Sequence, residues 1–159
     1  MISPKSDIEK KFIRAEFMKH KKLEEVYVIR LERGERIVEK LIEFCAKMNI
    51  KAGYLSGIGT RRGAELGFFD WETKKYSFKK FKGDFEITSF HGNISLFDGQ
   101  PFLHAHIVLG DRDFRTWSGH LKEAEVLATA EIILTRLDGE LVRKTDKKSG
   151  LNLLRLTKP

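Results

Sequence analysis

Apolar positions along this chain recur at two different periods. Ile37, Val38, Leu41, Ile42, Cys45 and Met48 follow a 3.6-residue repeat, which predicts one amphipathic helix opening after Gly34 and Glu35. Elsewhere the β-branched and aromatic residues gather in short runs that predict strands at 26–31, 52–59, 63–70, 76–81, 85–96, 102–109, 126–137 and 151–156. Gly83-Asp84, Asp98-Gly99, Asp111-Arg112-Asp113 and Asp138-Gly139 separate several of these runs and supply the turn chemistry of hairpins. One helix and six to eight strands give an α+β domain, a mostly antiparallel sheet with one main helix packed on it. Residues 1–24 are expected to form a charged N-terminal extension with a short strand or helix, because Ile8, Phe12, Ala15 and Phe17 make only a ragged stripe; 25–157 would be the domain. Gly53, Gly57 and Gly59 are spaced G-x-x-x-G-x-G at the end of the run 52–59 and open no helix. They predict a tight turn or close backbone approach, not a nucleotide-binding loop.

Composition narrows the function classes. The 159 residues are 41% apolar, enough for one core, and no run is long and apolar enough to span a membrane. The N-terminal MISPKSDIEKKF carries charges where a signal peptide would be apolar, so a cytoplasmic protein is expected. A single cysteine, Cys45, falls on the helix's apolar stripe, which makes it a core residue and excludes an intramolecular disulfide. A metal would have to use histidine and oxygen. Thirty Lys and Arg against 23 Asp and Glu give a net charge of +7, which raises the question of DNA or RNA as partner. Acidic residues lie close to every lysine pair, so a solvated mixed-charge surface is favoured over a dedicated nucleic-acid face. Were phosphates contacted, Arg61, Arg62, Lys74 and Lys75 would be the candidates.

The candidate chemistry lies in histidines. In Phe102-Leu-His-Ala-His-Ile-Val-Leu-Gly110, strand alternation sends Leu103, Ala105, Ile107 and Leu109 to one face and His104 and His106 to the other. Two imidazoles on one face can converge on one ion at about 2.0–2.1 Å. The H-x-H pair alone is weak, and hydrogen bonding in a polar cleft is its structural alternative. A third ligand would come from another segment; His120 is the best candidate, because Gly119 lets its backbone approach the sheet. Three histidines would leave a coordination position for water or a ligand oxygen, as catalytic zinc sites do. His91 could add a fourth imidazole or hydrogen-bond to a ligand, and Glu86 and Glu131 could orient imidazoles, form salt bridges or simply face solvent.

Together these residues resemble the plants-and-prokaryotes-conserved (PPC) domain, whose bacterial and archaeal members are PD1-like candidate DNA-binding proteins. The resemblance spans the strand–helix start at 28–48, Leu55-Ser-Gly-Ile-Gly59, Gly83-Asp-Phe-Glu-Ile87, His91-Gly-Asn-Ile94, Asp98-Gly99, His104-Ala-His106, Ser118-Gly-His-Leu121 and Ala128-Thr-Ala-Glu-Ile132. It implies a homotrimer and a divalent metal, zinc first, on His104, His106 and His120. The Arg-Gly-Arg-Pro hook of plant relatives is missing, since Thr60-Arg-Arg-Gly63 lacks the proline, and Ser118 replaces a glycine common in the family. Two functions follow as expectations. One is a trimeric DNA- or ligand-binding regulator. The other is a metal-dependent hydrolase or lyase acting on a small polar substrate, with Glu86 or Glu131 as general base.

Overall fold

The computed structural model describes residues 18–156. Most of the expected extension, including the stripe from Ile8 to Phe17, lies outside the described residues. Six strands form the main sheet: β1 (Lys19–Leu23), β2 (Val26–Glu32), β3 (Gly53–Asp70), β4 (Lys75–Phe97), β5 (Gln100–Gly110) and β6 (Thr116–Arg136). The helix α1 (Ile37–Lys47) lies between β2 and β3, and a small ribbon of β7 (Arg143–Thr145) and β8 (Asn152–Leu154) follows the sheet. The α+β expectation of one helix on a mostly antiparallel sheet is met, with strand order β1-β2-β6-β3-β4-β5 and every ladder between these strands antiparallel.

Two strands each join what the hydrophobic pattern separates into two runs. The runs 52–59 and 63–70 are one strand, β3, and the runs 76–81 and 85–96 are one strand, β4. The expected turn at Gly83-Asp84 is therefore a bulge within β4, where Gly83 takes φ 105° opposite the shift between Arg62 and Ala64. Bulges break the period of two, so a continuous strand reads as two fragments. The Asp98-Gly99 turn does join two strands; both residues have positive φ, 49° and 76°, as a two-residue hairpin connection requires.

The sheet closes on itself. β5 pairs with β4 along one edge and with the first residues of β6 along the other, while β6 continues along β3, so the ladder runs β6-β3-β4-β5-β6. Ile29, Leu31, Leu55, Ile94, Ile107, Leu109 and Leu134 fill the interior with Ile37, Leu41 and Cys45 from α1. Burial pushes the Cys45 thiol up to about 12, which suits a packing residue and leaves no thiolate at neutral pH. His20 is exposed and sets its ring edge-on to Phe44.

The helix has no cap of its own, because Arg36 at its N-terminus offers no side-chain acceptor. Glu123 on β6 supplies one: its carboxylate accepts from the Val38 N–H at 2.8 Å and the Glu39 N–H at 3.2 Å. A negative group on these N–H donors also complements the helix dipole. Glu123→Ala should lower stability by about 1 kcal/mol, read as a reduced urea midpoint with unchanged denaturant slope.

Candidate metal centre

His104 and His106 lie two apart on β5, so alternation puts both on the face opposite Leu103, Ala105 and Ile107, which are buried as expected. Closure of the sheet supplies the third ring. In the β5–β6 ladder His106 stands directly opposite His120, and His120 also pairs with Gly67 of β3. Gly119 permits this approach: a Cβ there would lie 3.0 Å from the Gly67 carbonyl oxygen. The three ring centroids are 5.2–5.5 Å apart, and each ring has one candidate ligand atom such that all three lie within 4.8 Å of one another. Small ring rotations would bring such atoms to a common ion.

The donor set fits a divalent cation. Nδ1 of His120 is buried and has no hydrogen-bond partner, which is costly for a polar atom unless something binds there. Burial is the main cause holding His120 down to about 4, with the neighbouring His104, His106 and Arg143 adding to it. His104 is lowered as well, first by burial, then by Arg143 and His106. Both rings are thus neutral at pH 7, the form that ligates metal. One consequence can be checked on metal-free protein. An unfolded chain protonates these histidines near pH 6.5, whereas the folded chain resists until about pH 4 at His120. Between those values the unfolded state binds more protons, so stability should fall as pH is lowered from about 6.5 towards about 4. Urea unfolding in chelator across that window measures it.

The other candidates are not drawn to this point. His91 faces His106 across the β4–β5 ladder, but its Nδ1 is 2.8 Å from the Tyr54 hydroxyl, and among the described residues the candidate ligand group comprises His104, His106 and His120. Glu131 is exposed and lines a separate cavity of about 370 Å³ with Ser56, Thr88 and His91. Glu86 is exposed, opposite Thr60 and Gly110. Arg61 was expected at a phosphate-facing surface; instead it is 0% exposed, with its guanidinium 3.9 Å from the centre of the Phe85 ring and Nη1 donating to the Phe81 carbonyl. Out of contact with solvent it cannot meet a polyanion. Arg62 is exposed, 3.4 Å from Asp84, and Lys74 and Lys75 are exposed at the β3–β4 turn.

Sequence reasoning missed Arg143. This residue of β7 is 5% exposed, and its Nη2 lies 3.4 Å from Nδ1 of His104. It borders a cavity of about 320 Å³ whose wall also includes Tyr76, Phe102, His104, His120 and residues 150–153. No local pattern marks it: the run around it is polar, and the contact to β4 comes through a bridge between Leu96 and Val142.

Comparison with known proteins agrees with this architecture. The profile of the Plants and Prokaryotes Conserved (PCC) domain matches residues 18–138. A plant- and prokaryote-conserved protein of Pyrococcus horikoshii is 36% identical with a TM-score of 0.79, the alignment covering 92% of this chain and 100% of that one. A candidate DNA-binding protein of Bacteroides thetaiotaomicron superimposes with a TM-score of 0.85 at 31% identity, over 87% of this chain and 97% of that one. A metal-containing protein of Archaeoglobus fulgidus is 34% identical with a TM-score of 0.77, over 87% and 96%. Among curated sequences, the bifunctional protein GlmU of a Synechococcus strain is 31% identical over 84% of this chain, which spans only 21% of that protein's length.

Proposed function

The chain belongs to the Plants and Prokaryotes Conserved domain family, and on that premise we propose that it is a homotrimeric regulator that binds a small ligand or DNA and holds a divalent metal, zinc first, on His104, His106 and His120. The observation that carries this reading is the meeting of three imidazoles from two strands at one point, one of them with a buried, unpartnered nitrogen. The metal-containing relative from Archaeoglobus fulgidus supports it. Three nitrogen ligands would suit zinc with a coordination position to spare, and two of the three, His104 and His120, line the cavity beside Arg143. A bound ion would supply Lewis acidity to a ligand oxygen at that position.

Support for the trimer comes from the sheet face turned away from the helix, where Tyr54, Ile58 and Ile133 are 48%, 60% and 40% exposed. Such apolar exposure on a sheet face suits burial against another copy. For DNA, Arg62, Lys74 and Lys75 remain available, and the candidate DNA-binding relative from Bacteroides thetaiotaomicron supports the idea. Among the described residues no helix is long and apolar enough to cross a membrane. The hydrolase or lyase alternative would use the same open position, but neither Glu86 nor Glu131 lines the cavity beside His104 and His120. Elemental analysis of purified chain, loaded with zinc and dialysed, should give one ion per chain. A metal content near zero would overturn the metal reading, a monomer by light scattering the trimer, and no gel shift at low salt the DNA arm.

A further inference from the structure

Arg143 presents an electrostatic problem that its surroundings do not solve. Its Nε donates to the Ser95 hydroxyl at 2.8 Å, its Nη1 to the Asn152 carbonyl at 2.7 Å and its Nη2 to the Asn93 side-chain oxygen at 2.7 Å. Every one of these acceptors is neutral, as is the His104 ring at 3.4 Å. At 5% exposure the guanidinium has little water to screen it, and among the described residues no carboxylate pairs with it. A buried charge without a counterion is costly. The planar fork has five N–H groups, and the contacts above use at most four, so a donor remains.

The same guanidinium borders the cavity that reaches His104 and His120. Arg61, the other deeply buried arginine, does not line this cavity; its guanidinium is 3.9 Å from the centre of the Phe85 ring, whereas that of Arg143 is 5.3 Å from the centre of the Phe102 ring. The remaining walls are mixed: Tyr76, Phe102, Leu151 and Leu153 give apolar surface beside the guanidinium. Residue 143 also lies beyond the stretch 18–138 matched by the family profile, so the profile match does not account for it.

We propose that this cavity is the binding site of a small carboxylate with a short apolar tail, its carboxylate held between the Arg143 fork and the open position at His104, His106 and His120. The counterion that Arg143 lacks is then the ligand itself. The guanidinium would take a carboxylate or a phosphate alike, but a tail meets Phe102, Leu151 and Leu153, apolar surface that inorganic phosphate leaves uncovered. This inference rests on the metal reading for one of its two charges only.

Full-length chain loaded with cobalt(II) is the test, since carboxylate entry at the open position alters the visible absorption of the ion. Butyrate should shift that spectrum saturably, while butanol, with the same tail and no charge, should not. Phosphate, which has no tail to bury, should bind about tenfold more weakly than butyrate, and Arg143→Lys should weaken butyrate by about tenfold, because one ammonium cannot keep the contacts to Ser95, Asn93 and Asn152 and still reach the carboxylate. Calorimetry of butyrate against metal-free protein separates the two readings. Butyrate binding there, in a chain that takes up no cobalt, would sustain the anion site and sink the metal. Cobalt binding with neither a spectral change nor heat on adding butyrate would overturn the anion site and leave the metal in place, as would phosphate binding as tightly as butyrate. The wild-type titration decides even if Arg143→Lys fails to fold.

Discussion

His120→Ala is expected to abolish metal-dependent stabilisation. Zinc at about a thousandfold its Kd adds about 4 kcal/mol to a site it binds only in the folded state. For a domain of this size that is a rise in Tm of roughly 10 °C. His104 and His106 share one strand and remain in the variant, but the proposed site would lose its contribution from β6. Two imidazoles two residues apart cannot provide a three-coordinate cage, so the zinc-dependent rise should vanish in thermal unfolding with and without metal. Metal-free stability should change far less, because Nδ1 of His120 has no hydrogen bond to lose. A variant that kept one ion per chain and the full shift would show that the three rings do not act together.

The second large effect lies in the backbone. Gly59→Ala should destabilise the fold by about 3 kcal/mol or more, seen as a lower urea midpoint or as insoluble expression. Gly59 has φ 155° and sits opposite Ala130 in the β3–β6 ladder, next to a register shift. A Cβ there would stand 2.5 Å from the Thr129 carbonyl oxygen and 2.6 Å from the Ala130 Cα, and both atoms belong to the partner strand's backbone. Relief requires β3 and β6 to separate, which would also disturb the strand that carries His120. Gly110→Ala is the contrast, since its nearest neighbour is the Thr88 methyl at 3.3 Å on an exposed side chain that can turn aside. Its cost should stay under about 1 kcal/mol.

Several features were legible in the chain because they depend only on local periodicity. The stripe from Ile37 to Met48 gave α1 nearly to the residue, since a helix with one buried face must repeat its apolar positions at 3.6. Alternation in 102–109 placed His104 and His106 on one face for the same kind of reason. The glycines at 57 and 59 announced a close approach, and the structure shows it: a Cβ on Gly57 would lie 2.7 Å from the Glu131 carbonyl oxygen. What they did not announce was that β3 passes through them to Asp70, because bulges reset the alternation that would have joined the two halves. Likewise 116–125 lacks an unbroken apolar rhythm, so the first half of β6 went unseen, although His120 lies within it.

The side chains misjudged from sequence share one property, that their environment is built by distant segments. A polar Thr60-Arg-Arg-Gly63 read as surface, yet Phe85 and the backbone of Phe81 from β4 cover Arg61 completely. Arg143 stood in a featureless polar stretch, yet Ser95, Asn93 and Asn152 close over its guanidinium.

The sequence by itself determined which residues could ligate a metal, which faces of strand and helix must be buried, and that one helix packs on one sheet. Those properties follow from residue chemistry and from backbone periods of 3.6 and 2, which need no knowledge of what lies across the ladder. Tertiary structure alone decided that β5 closes onto β6 so that His106 meets His120, that His91 is engaged by Tyr54 instead, and that one arginine is sealed in the core while another borders the histidines. Strand pairing sets these neighbours over long sequence separations, and no local pattern encodes which strand a given edge will choose.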